Sequence, residues 1–166
     1  MNKKIILGLA VLILIITGLF VFKGDSLSGG SGYKNATYMI DGESVTLVDG
    51  QSQVENKITK YFGNEVKVDF NEDGEDDVAF LMTQETGGSG TFYYLVGAIQ
   101  NKEGYWGMSG VLLGDRIAPQ STNLVGNEIV VNYADRKKDE PMTATPSVGV
   151  SKYYKFIEGS LVEISR

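Results

Sequence analysis

From residue 36 onward the chain alternates between short apolar runs and polar breaks rich in glycine, asparagine and aspartate. That period-two pattern, bounded by turn residues, predicts strands almost throughout. Residues 36–40 and 44–48 flank the turn signal Asp41-Gly42. Residues 58–62 and 65–70 flank Gly63-Asn64, and residues 78–83 and 91–100 flank a glycine-rich stretch at 85–90. Further strands are expected at 110–113, 117–121, 128–134, 148–157 and 161–164. Thr91-Phe92-Tyr93-Tyr94-Leu95-Val96 is apolar or aromatic at nearly every position, as a central strand covered on both faces requires. One stretch reads two ways. Ser52-Gln53-Val54-Glu55 resembles a capping box, and Val54, Ile58 and Tyr61 have helical spacing. A short helix over 53–62, ending at Gly63, therefore competes with the strand reading. The fold class expected is all-β, a mainly antiparallel sandwich or open barrel with at most one short helix.

The N-terminus follows a different pattern. Residues 5–22 are an 18-residue run without charge, preceded by Lys3 and Lys4. As a helix this run would be about 27 Å long, close to the hydrocarbon thickness of a bilayer. The flanking lysines favour a cytoplasmic N-terminus and an exported C-terminus. A cleaved signal peptide, with Ser26-Leu27-Ser28 as its site, is the alternative, and it would release the domain. The run is long for a signal peptide and ends in bulky Phe20 and Phe22, so an uncleaved anchor is the preferred reading. Residues 1–23 are thus assigned to a signal anchor, 24–33 to a Gly/Ser-rich tether and 34–166 to one extracytoplasmic domain.

The domain carries twelve Lys and Arg against twenty Asp and Glu, a net charge of −8. That sign argues against nucleic acid and anionic headgroups as partners. There is no cysteine, hence neither disulfide nor lipid-modified N-terminus, and no histidine. Catalytic Ser-His-Asp and Cys-His arrangements and His-based zinc are thereby removed. A hydrolase built on paired carboxylates stays open in principle, but no spacing singles out such a pair, and a non-catalytic role is expected.

The most specific chemical signal is Asp69-Phe70-Asn71-Glu72-Asp73-Gly74-Glu75-Asp76-Asp77, with six acids in nine residues. Calcium takes six to eight hard oxygen ligands, and alternate Asp and Asn residues followed by glycine wrap short ones around it. Asp69, Asn71 and Asp73 would supply side-chain oxygens, Glu75 its backbone carbonyl and Asp77 a carboxylate. Gly74 would permit the sharp turn. The twelfth position is Phe80 where an EF-hand has glutamate, so this is not an EF-hand. The competing reading is a metal-free acidic turn, since Asp, Asn and Gly favour turns for local reasons.

Three further stretches stand out. Asp115-Arg116 and Asp135-Arg136 repeat an Asp-Arg pair that would make either a polar recognition patch or ordinary ion pairs. On a strand, adjacent residues face opposite ways, so each Asp is expected to pair with a group other than its own Arg. Tyr105-Trp106 would be an exposed carbohydrate platform or, as preferred, would place Trp106 as a plug at one end of the core. Gly87-Gly88-Ser89-Gly90 reads as a hairpin loop.

The stretches at 61–66, 69–81, 85–92, 111–117 and 130–136, followed by Glu140-Pro141-Met142, together resemble a family of uncharacterised bacterial envelope proteins. Members carry an N-terminal membrane segment or lipoprotein signal, one β domain and a single calcium-type loop similar to FG-GAP and VCBS repeats. The resemblance covers most of residues 36–156. It implies a place, the outer side of the cytoplasmic membrane, more than an activity. The expected partners are the membrane through residues 5–22 and an envelope protein or glycan, with structural Ca²⁺ as the cofactor. A metal-free spacer domain is the other outcome the residues allow.

Overall fold

The computed structural model describes residues 32–166. The expected membrane segment and most of the tether lie outside the described residues, among which no helix is long and apolar enough to cross a membrane. A 3-10 turn at Tyr33–Asn35 leads into a β domain without α-helix, all of whose strand pairs are antiparallel.

Strands β1 (Thr37–Ile40) and β2 (Glu43–Thr46) form a separate hairpin. Strands β3 (Gln51–Val54), β4 (Lys57–Val68), β5 (Asp77–Glu85), β6 (Phe92–Asn101) and β7 (Gly104–Gly107) follow one another in a meander. Strand β8 (Val111–Asp115) returns to pair with the first half of β6, beyond the end of β7. A second sheet runs β9 (Ala118–Val125), β10 (Glu128–Asp135), β11 (Val148–Ile157) and β12 (Ser160–Ile164), each strand beside the last.

The result is three layers, with the six-stranded sheet in the middle. Strand β5 shows why. Val78, Phe80 and Met82 pack with Tyr38, Ile40 and Leu47 on the hairpin side. Ala79 and Leu81 pack with Leu95, Ile129, Val131 and Tyr154 on the side of the second sheet. A strand buried on both faces needs apolar residues at consecutive positions, and all of Val78 to Met82 are buried. Burying apolar surface at roughly 25 cal/mol per Å² makes these two cores the main source of stability in a chain without disulfides.

The hairpin lies close over the central sheet. A Cβ on Gly107 would stand 2.4 Å from the Thr37 carbonyl oxygen, so only glycine lets β1 cross β7 there. Between β7 and β8 the edge of the sheet is interrupted. Met108 still donates its N–H to Gly97 at 2.8 Å, but the Gly110 N–H turns to the Met39 carbonyl at 2.8 Å.

Several expectations are corrected. Residues 53–62 form no helix. Glu55 takes φ 53° and, with Asn56, turns β3 into β4, pairing Ser52 with Thr59 and so removing the cap. Gly63-Asn64 is no hairpin turn either. Its positive φ values, 118° and 50°, absorb a bulge within one twelve-residue strand that stays paired to β5. Trp106 does not plug the core. It is 73% exposed on the short edge strand β7. The glycine-rich stretch at 87–90 does connect two paired strands, β5 and β6.

Candidate metal centre

The acidic stretch is the connection between β4 and β5, closed at its neck by the Val68–Asp77 pair. Glu72, at φ 59°, and Gly74, at φ 87°, supply its left-handed turns. The Asp69 carboxylate accepts the N–H of Asp73 at 3.2 Å through one oxygen and that of Gly74 at 2.9 Å through the other. The amide oxygen of Asn71 also lies 3.2 Å from the Asp73 nitrogen, so oxygens of residues 69 and 71 converge on a single backbone donor. Asp73 in turn accepts the Glu75 N–H at 2.9 Å and the Asn71 side-chain N–H at 2.8 Å. Three of the expected ligand side chains are thus gathered, two of them carboxylates. Among the described residues no three His, Cys, Asp or Glu side chains are gathered at one point.

Asp77 sits differently. It is fully buried, and its two oxygens accept the Phe70 N–H at 2.8 Å and the Gln100 N–H at 2.7 Å. It therefore ties the loop's entry to its exit and both to β6. Burial raises its pKa, the two backbone donors oppose that, and the charges of Asp73 and Asp69 add to the rise. The Glu75 side chain turns outward to the Gln100 amide at 3.2 Å, while Asp76 pairs with Lys67 at 3.0 Å. Phe70 anchors the loop on its other side. Its ring stacks 5.1 Å from Phe156 of the second sheet.

All these donors are oxygens, the chemistry a hard cation takes. Asp69, Asn71 and Asp73 would hold such an ion, and each Asp77 oxygen keeps a lone pair beyond its backbone bond. The ion would offset the charges of Asp69 and Asp73 that act on Asp77.

The Asp-Arg pairs meet in a different place. Arg116 folds back onto its own Asp115, with Nη2 to Oδ2 at 3.0 Å, contrary to the strand rule. The reason is its φ of 50°, which takes it out of the pleat. Arg136 sends its guanidinium to the carbonyls of Ala144 at 2.7 Å and Asp115 at 3.3 Å, while the Asp135 carboxylate accepts the Arg136 backbone N–H at 2.7 Å. The two motifs are brought together as a clamp on the loop after β10.

Two polar clusters escape the sequence reading. Glu65 accepts the hydroxyls of Tyr33 and Tyr61, each at 2.6 Å. The Tyr33 bond, then the Tyr61 bond, lowers its pKa, whereas burial and then Glu65 push the Tyr33 hydroxyl up to about 12. Nothing local links residues 33 and 65. The second cluster is Gln84, whose side-chain N–H reaches Thr59 at 3.1 Å with both residues buried. Its signal was present, because the alternation that turns Val78, Phe80 and Met82 inward also turns Gln84 inward.

No family model, curated protein or solved structure matches the chain.

Proposed function

We propose that this protein is a non-catalytic, membrane-tethered β module on the outer side of the cytoplasmic membrane. It holds one structural Ca²⁺ in the 69–77 loop and binds an envelope protein or glycan. The observation that carries the calcium reading is the meeting of Asp69 and Asn71 oxygens at the Asp73 amide, over a neck fixed by buried Asp77. The apolar run at 5–22 supports the anchor. Among the described residues the groove beside exposed Trp106 is lined by Met39, Ile99, Met108 and small residues, none of them a carboxylate. That composition favours binding over hydrolysis.

Thermal unfolding of the full-length chain in detergent tests the site, first in EDTA and then in calcium, beside Asp73→Ala. For an extracellular-type site with Kd of about 0.1–1 mM, roughly 2 mM Ca²⁺ adds about 0.7–1.8 kcal/mol. The corresponding rise in Tm is about 2–6 °C, absent in Asp73→Ala. No shift up to about 10 mM, well above that Kd range, sinks the calcium reading. A second reading, the metal-free spacer, is favoured by one detail: the Asn71 amide already donates to Asp73, so the loop closes on its own hydrogen bonds.

A further inference from the structure

Between the β1–β2 hairpin and the far end of the central sheet lies a recess of about 280 Å³, near the lower end of the range for ligand pockets, about 300–1,000 Å³. Its floor is polar. Thr59 is 2% exposed and Gln84 5%, and their mutual bond uses one amide N–H and the threonine oxygen. Glutamine offers two N–H donors and a carbonyl with two lone pairs. Among the described residues the Gln84 carbonyl oxygen has no protein partner, yet it is not among the enclosed orphan atoms. Gln84 lines the recess, so this oxygen is the acceptor the floor has to offer. The threonine hydroxyl proton is likewise unused. Val45 and Val54 supply apolar walls, and the ion pair of Lys57 with Glu43 spans the rim.

We infer that this recess is a binding site for an acetamido group, the substituent of an N-acetylated hexosamine. Such a group presents one N–H, one carbonyl and one methyl. The N–H matches the open Gln84 carbonyl, the acetamido carbonyl accepts from the Thr59 hydroxyl, and the methyl is covered by the two valines. The sugar ring then lies at the rim, where Lys57 and Glu43 meet its hydroxyls. Neutral recognition also suits a domain whose net negative charge would repel acidic glycans. This inference rests on the proposed envelope-binding role and narrows it to a glycan.

The test is chemical-shift mapping on the ¹⁵N-labelled full-length protein in detergent micelles. The probes are N-acetylglucosamine oligomers, glucose oligomers of the same length and an N-acetylated alanyl peptide. The expected result is a saturable shift of the Gln84 side-chain amide and the Thr59 backbone amide with the N-acetylated sugar. Glucose oligomers bind at least about tenfold more weakly. Gln84→Met weakens binding by a similar factor while spectral dispersion shows the fold intact. Thr59→Val, near in shape, is the second variant should Gln84→Met fail to fold. Equal binding of glucose oligomers overturns the inference, and so does preference for the peptide. Sugar-induced shifts confined to Trp106 overturn the recess but keep the glycan-binding role. No shift with any probe overturns both.

Discussion

Strand β5 carries a buried polar residue at its start and another one residue from its end, and the two are built on opposite principles. Asp77 opens the strand, and each of its oxygens receives a backbone N–H. Gln84 lies one residue from the strand's end, with a single side-chain partner and a carbonyl left open. Buried polar groups cost stability unless bonded, and a group whose every oxygen already holds a backbone N–H serves the structure first. A group with spare valences at a solvent opening is available to something else. The contrast separates a clamp from a candidate recognition element on one strand, using the same criterion for both.

The comparison is best broken from the middle outward. Phe80→Ala, midway between the two ends and fully buried, should cost about 3–5 kcal/mol in urea denaturation. That sets the scale of a packing defect. Asp77→Ala should approach it, at about 3 kcal/mol, because two N–H groups lose a charged acceptor. Asp77→Asn, which keeps one acceptor oxygen, should cost less. If Asp77→Ala were neutral, the clamp would be an incidental contact. Gln84→Met should change stability by no more than about 1 kcal/mol, since a long apolar side chain fills the space and one bond to Thr59 is lost. A loss as large as that of Asp77→Ala would mean that the amide is structural after all.

The smallest effect concerns acid. Glu65 has a lowered pKa through its two tyrosine partners. Its contribution is complete above the ordinary value of 4.5 and is lost as pH falls through the lowered one. Asp77, with a raised pKa, has the opposite sign: its protonated form is favoured by the fold, so its contribution declines as pH climbs from 3.8 through the raised value. Urea midpoints between about pH 5.5 and 3, taken in EDTA, should show Glu65→Gln removing an acid-side loss. Asp77→Asn should remove a slope of the other sign. Parallel profiles for the two variants would contradict these assignments.

Much of the fold was legible because alternation and burial agree. The spans at 128–134 and 148–157 match β10 and β11 nearly residue for residue. Reading failed where long-range pairing outweighed local rules. Gly63-Asn64 looks like a turn by composition, yet pairing with β5 on either side of it holds the strand straight through. Strand β3 looked helical because Ser52 mimics a cap, while its true partner, Thr59, is only a turn away. Trp106 was misplaced because the short run between Gly104 and Gly107 carries no pattern that marks its strand as an edge. The 69–77 stretch was readable as a turn of short polar side chains, and the contacts among residues 69, 71 and 73 follow from their alternate spacing. The outward turn of Glu75 depends on Gln100, and the double bond of Asp77 on Gln100 and Phe70. The strand pairing that brings Gln100 to the loop could not be read locally.

The interrupted edge of the central sheet has one more consequence. A long straight border of unpaired N–H and carbonyl groups invites a second molecule to add its own strand, the first step towards aggregation. Here that border is split into β7 and β8, four and five residues long. At the gap, Met39 takes the Gly110 hydrogen bond that a newcomer would need. The hairpin that covers one core thus also caps this side of the central sheet, and leaves no continuous border there for a strand from another copy.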